Sequence, residues 1–288
     1  MLIRQLYSPQ LSAERYVPKV QLYREEEVHF SSREAVLAGT LLLPSTGGAH
    51  SAVLLVHGAA AGERQFYRIF ADYFVRQGIA ALIYDRRGSG HSTRGQQAAG
   101  LEDYAEDALA GVRFLAERPE INPSQIGLWG LSQGGRVVPM VAARSHDVSF
   151  VITVSAPGMS RSSLELYHRD RGYRDAGYPK SIVDIGLKYN KLVQDVERLL
   201  AKNDRRDADL TPVAYWEHVQ QPVLMIYGGV DEIISPKDSA AMIVRALQRA
   251  GNTDYTVLIF PEADHSLMCS VARGRPAFAA QFMQAMSC

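Results

Sequence analysis

Short runs of consecutive apolar residues recur along the chain, and amphipathic stretches separate them. The runs are VLAGTLLL from Val36, AVLLVHG from Ala52, IAALIYD from Ile79, IGLWG from Ile126, FVITVSA from Phe150, VLMIYGG from Val223 and YTVLIF from Tyr255. From Ala52 onward most are apolar on successive positions, so a strand built from them needs cover on both faces. Between them, Phe66, Ile69, Phe70, Tyr73 and Phe74 recur at helical spacing, as do Leu101, Tyr104, Ala105, Ala108, Val112 and Leu115. Gly78 closes the first stripe and Pro119 follows the second. Strands and helices in alternation predict an α/β fold, a mostly parallel sheet with helices on both faces. The 288 residues supply ample material for its core.

The alternation breaks between about Gly158 and Trp216. This segment is charged and tyrosine-rich and contains no strand-like run. Within it the spacing predicts a helix over Ile182–Leu200, with Ile185, Tyr189, Leu192, Val196 and Leu199/Leu200 on one face. A structureless connection of this length is uncommon in a compact domain, so a helical insertion lying over the strand ends is expected. The chain then divides into a first core part, 1–157, with an N-terminal extension to about residue 27. A helical cap or lid follows at 158–217, and a second core part at 218–288.

Composition narrows the function classes. Lys+Arg and Asp+Glu both total 31, which gives no global pull toward nucleic acid or an anionic membrane surface. No tract of about 18 apolar residues is present, so no membrane span is expected. The first residues, MLIRQLYSPQLSAERY, lack the apolar stretch of a secretory signal. Cys269 and Cys288 are too few for a disulfide framework, and a cytoplasmic location is the simplest expectation. Gly88-Ser89-Gly90 lacks the further residues of a phosphate-binding loop.

The chemistry gathers around GLSQGG, Gly130 to Gly135. It fits G-x-S-x-G, the turn that presents a nucleophilic serine between a strand and a helix. The pattern alone is common, but here IGLWG precedes it and QGGRVVPMVAARS follows. Ser132 needs a base, and the base needs an acid to hold its tautomer. Of the eight histidines, His265 in IFPEADHSL lies just after a late predicted strand. Asp231 lies just after VLMIYGG, with Glu232 and Asp264 as rival acids. The order Ser132, Asp231, His265 matches the chain order of α/β-hydrolase triads. An oxyanion needs two donors. The backbone N–H of Gln133 is one candidate. Ala59, in LLVHGAAAGER, is the other, with Ala60 next. His57 is expected to bond loop carbonyls, and Arg86 and Arg87 are expected in structural roles. Cys269 and Trp129 read as packing residues.

At these residues the chain resembles the α/β-hydrolase superfamily. VHGAAAGER, YDRRGSGHS, GLSQGG, YGGVDEIISP and FPEADHS match its landmarks in order, and the likeness covers nearly the whole chain. Within the superfamily it is similar to bacterial serine esterases and to serine aminopeptidase-like and dienelactone-hydrolase-like hydrolases that open with a LAGTLLLP strand. The resemblance implies an eight-stranded, mostly parallel sheet with a helical cap, and a Ser-His-Asp hydrolase with no metal or organic cofactor. AAAGER departs from the bulkier or proline-containing segment of many relatives, which bears on the second oxyanion donor.

The expected partner is a small-molecule ester or amide, with no nucleic acid and no membrane; the oligomeric state is open. Tyr167, Tyr173, Tyr178 and Tyr189 are candidates to line a substrate pocket beneath the cap. Ester hydrolysis through an acyl-enzyme leads. Peptide or amide cleavage, C–C bond hydrolysis, acyl transfer and cyclisation are alternatives on the same scaffold. A ligand-binding receptor that retains the pocket is the non-enzymatic alternative.

Overall fold

A computed structural model of the chain describes residues 23–95, 99–200, 213–270 and 276–278. Strands β1 (Tyr23–Ser32), β2 (Ala35–Pro44), β3 (His50–Val56), β4 (Ala80–Tyr84), β5 (Ile121–Leu131), β6 (Val148–Val154), β7 (Val223–Gly228) and β8 (Tyr255–Phe260) form one sheet. Its order is β1-β2-β4-β3-β5-β6-β7-β8. β2 runs antiparallel to β1 and β4, and every pairing from β4 to β8 is parallel. The expected eight-stranded, mostly parallel sheet is therefore present.

The unbroken apolar runs serve two cores. Along β3, Ala52, Leu54 and Val56 enter one cluster, and Val53 and Leu55 enter the other. Helix α1 (Arg68–Arg76) covers the second face through Phe70 and Phe74. Helix α2 (Leu101–Ala116) covers the first through Leu101, Ala105, Ala108, Val112 and Leu115. Both are the helical stripes read from spacing. Trp129 is fully enclosed beside Phe70.

The sheet begins earlier than the sequence suggests. Residues 23–27 lie in β1 and not in an extension; residues 1–22 fall outside the described part. Three consecutive glutamates hide this strand, because they carry no apolar alternation. Its place comes from pairing with β2 and from arginines on neighbouring elements. Arg118 binds Glu26 at 2.7 Å, Arg64 binds Glu27 at 2.5 Å, and Arg68 binds Glu25. The charge also blunts an exposed sheet edge against further pairing.

Between β6 and β7 the chain forms α4 (Arg161–Asp175) and α5 (Lys180–Leu200), the second close to the expected span. The Ser160 hydroxyl accepts from the Ser163 N–H and starts α4. Leu164 of α4 packs on the first core cluster. Arg169 bonds Asn190 of α5 at 2.6 Å, and Arg174 pairs with Asp170. The apolar stripe of α5 faces solvent: Ile185, Tyr189, Leu192 and Val196 are all exposed, whereas Val183 is buried. A short helix, α6 (Val213–Trp216), returns the chain to the core through Trp216. Among the described residues no helix is long and apolar enough to cross a membrane.

Candidate active site

The site lies at the carboxyl ends of the parallel strands. Ser132 follows β5 and precedes α3 (Gly134–Ala142). Its φ is 51°, a left-handed conformation that costs a non-glycine residue roughly 1–3 kcal/mol. The surroundings impose it: the Ser132 N–H donates to the Val154 carbonyl, and its own carbonyl accepts from Gly135, both at 2.8 Å. The flanking glycines make room for so sharp a turn. A Cβ on Gly130 would stand 2.7 Å from the Gly134 carbonyl, and one on Gly134 would stand 2.5 Å from the Val56 carbonyl oxygen.

His265 sits on the loop after β8, with its Nε2 2.9 Å from Ser132 Oγ. Its Nδ1 is 2.7 Å from Asp231 Oδ2. Asp231 lies on the loop after β7 and is fully buried. Its other oxygen, Oδ1, accepts from the N–H groups of Ile233 at 2.8 Å and Ile234 at 3.0 Å. Both carboxylate oxygens thus have partners, which offsets the cost of removing the charge from water. The rival acids are placed otherwise. Asp264 turns back to accept from Ser266 and Met268 in its own loop, and Glu232 is exposed.

The two later loops lock together. A Cβ on Gly228, at the end of β7, would stand 2.0 Å from the Asp264 carbonyl oxygen. The chain carrying His265 therefore rests directly on the backbone that leads to Asp231. Ser155, the residue after β6, adds a second tie. It is buried, has a φ of 50°, and its hydroxyl donates to the His265 carbonyl at 2.8 Å. Sequence reasoning missed Ser155. A serine after an apolar run carries no local signal of a contact 110 residues away.

The loop after β3 packs beside Ser132, where a Cβ on Gly58 would be 3.7 Å from the Ser132 Cβ. The Gly58 N–H is occupied by the Tyr67 hydroxyl at 2.7 Å. His57 points away from the three residues. Its Nε2–H donates to the Tyr84 carbonyl, and the ring meets Tyr67 and Tyr84 edge-on. Burial pushes its pKa down to about 4, so the ring is neutral. Arg86 spans the loop, reaching the carbonyls of Gly58 and Ala59 and the Gln133 side chain at 3.3–3.5 Å. Arg87 instead makes a buried bidentate pair with Asp107, at 2.8 and 2.6 Å.

Of the four candidate tyrosines, Tyr167 is the one whose contact reaches this site, its hydroxyl donating to the Asp231 carbonyl at 3.2 Å. Tyr173 and Tyr178 pack edge-on against each other on the outer part of the insertion. Tyr178 and Tyr189 are more than half exposed, so the expected enclosed aromatic pocket of four is not formed. Helix α5 presents Tyr189 outward with its exposed apolar stripe. No cluster of His, Cys, Asp or Glu among the described residues has the arrangement of a metal site.

A serine on a strained turn after a central parallel strand, with carboxylate and imidazole on the loops after β7 and β8, defines a hydrolase of the α/β class. The chain belongs to the α/β-hydrolase superfamily. The sequence model described as esterase FrsA-like matches residues 10–157, and the one described as BAAT / acyl-CoA thioester hydrolase C-terminal matches residues 103–281. Esterase EstD of Thermotoga maritima is 23% identical over 265 residues, 83% of this chain and 60% of that protein. Quorum-quenching protein AidA of Acinetobacter baumannii is 29% identical over 128 residues, 44% of this chain and 42% of that protein. The matched span is less than two thirds of either relative. The Pyrococcus furiosus esterase Pf2001 shares the fold, with a TM-score of 0.63 at 18% identity over 88% of this chain and 86% of that one.

Proposed function

We propose that the protein is a serine hydrolase that cleaves a carboxylic ester through an acyl-enzyme on Ser132. The observation that carries this reading is the unbroken hydrogen-bonded line Ser132–His265–Asp231, at 2.9 and 2.7 Å. A serine hydroxyl needs a base in contact to attack at neutral pH. His265 Nε2 takes the proton as Oγ attacks the ester carbonyl carbon. When the tetrahedral adduct collapses, His265 gives that proton to the leaving alkoxide, and the alcohol departs. Water then attacks the acyl-serine, His265 takes its proton, and the acid leaves as Ser132 Oγ regains a hydrogen. Asp231 holds Nδ1–H toward itself and balances the imidazolium charge without accepting the proton.

The oxyanion is assigned to the N–H groups of Gln133 and Ala59. Gln133 opens α3, where the helix dipole adds to the field at the developing charge. Two features support Ala59. The preceding amide, Gly58, is already spent on Tyr67, and Gly58 lies against the Ser132 side chain. Insertion helix α4, tied to the Asp231 loop through Tyr167, is assigned the cap that shields the acyl site. The reaction so written uses no metal or organic cofactor.

The match to the acyl-CoA thioester hydrolase family favours a second reading, thioester cleavage by the same groups. The test is turnover of a short-chain p-nitrophenyl ester beside its thioester counterpart, together with labelling by a fluorophosphonate. Ester turnover with labelling that vanishes in Ser132→Ala supports the proposal. Labelling that survives in that variant places the nucleophile elsewhere. Thioester turnover without ester turnover favours the second reading.

A further inference from the structure

Two successive peptide groups beside Ser132 are held at their carbonyls and open at their N–H ends. Arg86 Nη1–H donates to the Gly58 oxygen at 3.3 Å, and Nη2–H to the Ala59 oxygen at 3.5 Å. The N–H groups of the same two peptides belong to Ala59 and Ala60. Both residues are exposed, and among the described residues neither N–H has an acceptor. The peptides are trans, so each N–H points away from the carbonyl that Arg86 holds. Nη1–H also reaches the Gln133 side chain at 3.4 Å. One guanidinium therefore touches both chain segments that carry the assigned oxyanion donors.

Arg86 is itself fixed in place. Its main-chain N–H donates to the Gly62 carbonyl at 2.7 Å. Its guanidinium lies over the Tyr104 ring of α2, 5.2 Å from the centroid. A Cβ on Gly62 would stand 3.3 Å from Nη2, so the loop closes around the group. Among the described residues no carboxylate pairs with it, whereas the neighbouring Arg87 is consumed by Asp107. Its charge is therefore left unneutralised beside Ser132. Bonds of 3.3–3.5 Å are long, and a full charge on the donor is what keeps them effective.

We propose that Arg86 is the positioning residue of the oxyanion hole. It acts through the two peptide groups. Holding their carbonyls fixes the peptide planes and so aims the Ala59 N–H, with that of Ala60 beside it. A cation on a carbonyl also polarises the peptide and strengthens the N–H at its other end. Both effects count most in the transition state, where the substrate oxygen carries negative charge, and little for the bound neutral ester. This role rests on the acyl-enzyme reading above.

The experiment compares the wild type with Arg86→Gln and Arg86→Ala on a p-nitrophenyl ester, with active sites counted by exhaustive fluorophosphonate labelling. Arg86→Gln should lower kcat about tenfold and leave KM within about twofold of the wild type. The inhibition constant of a trifluoromethyl ketone, whose serine adduct carries the oxyanion, should rise by the same factor. That of the matching methyl ketone, which forms no stable adduct, should not move. Guanidinium ion at low millimolar concentration should restore turnover to Arg86→Ala. An unchanged kcat in Arg86→Gln overturns the proposal. So does a rise in KM at constant kcat, which assigns Arg86 to the bound substrate, and so does an equal weakening of both ketones. A loss that follows the count of active sites and resists guanidinium makes Arg86 a folding residue and also overturns it. A wild type that neither turns over the ester nor takes the label overturns the acyl-enzyme reading itself, and this role with it.

Discussion

The Ser155 hydroxyl donates to the main-chain carbonyl of His265 at 2.8 Å, tying the end of β6 to the loop after β8. The imidazole reaches Ser132 and Asp231 only if that loop is held, and Ser155 holds it from a strained, fully buried position. Ser155→Ala removes the bond without enlarging the residue. With a hydrogen bond worth about 1 kcal/mol, kcat should fall roughly fivefold, with KM little changed. Steady-state kinetics on a p-nitrophenyl ester reads the split. A change confined to the melting temperature would make Ser155 a packing residue alone.

Asp231→Asn tests the acid. The asparagine can keep an oxygen toward the N–H groups of Ile233 and Ile234, so the fold should persist. Its amide cannot serve Nδ1–H as the carboxylate does, and the imidazolium loses its counter-charge. Turnover should drop by about 10⁴, with circular dichroism unchanged. A loss of less than tenfold would shift the acid role away from Asp231.

Gly228→Ala tests the seat of the His265 loop. The added methyl would fall 2.0 Å from the Asp264 carbonyl oxygen and 2.4 Å from that of Ala263, so the loop must move. Overpacking of this kind costs about 1–3 kcal/mol, which a chain of this size can bear and still fold. Fluorophosphonate labelling should be lost from a protein that still melts cooperatively. Labelling at the wild-type rate would mean that the loop is looser than its contacts indicate.

His57 sets part of the acid stability. Burial lowers its folded pKa from 6.5 to about 4. Between those values the unfolded chain binds a proton that the folded chain refuses, so stability falls as pH falls. The contribution is intact above about pH 6.5 and is lost at up to about 1.4 kcal/mol per pH unit toward pH 4. In all, about 3 kcal/mol should disappear over that window. Urea denaturation at pH 7.5, 6 and 5 measures the slope, and His57→Asn should flatten it. An equal slope in the variant would locate the titration in another group.

Much of the site was legible because its local signals coincide. GLSQGG lies between an apolar run and a helix, and only small residues fit where β5, α3 and the loop after β3 meet. Asp231 and His265 each follow a strand whose apolar run is unmistakable. The unreadable residue acts across a long separation. Ser155 contributes through a contact with a distant main-chain carbonyl, and this leaves no imprint on its own neighbourhood. β1 stayed hidden because its glutamates are chosen for arginines elsewhere in the chain.

By itself, then, the sequence determined the layering of strands and helices, the two-sided burial of the central strands and the order Ser132, Asp231, His265. Those follow from periodicity and turn chemistry, which act over a few residues. Tertiary structure decided which acid meets His265, since Asp264 satisfies its own turn while Asp231 alone is aimed at Nδ1. It also decided that the α5 stripe faces solvent. Periodicity shows that a helix has an apolar face; only packing decides what that face meets.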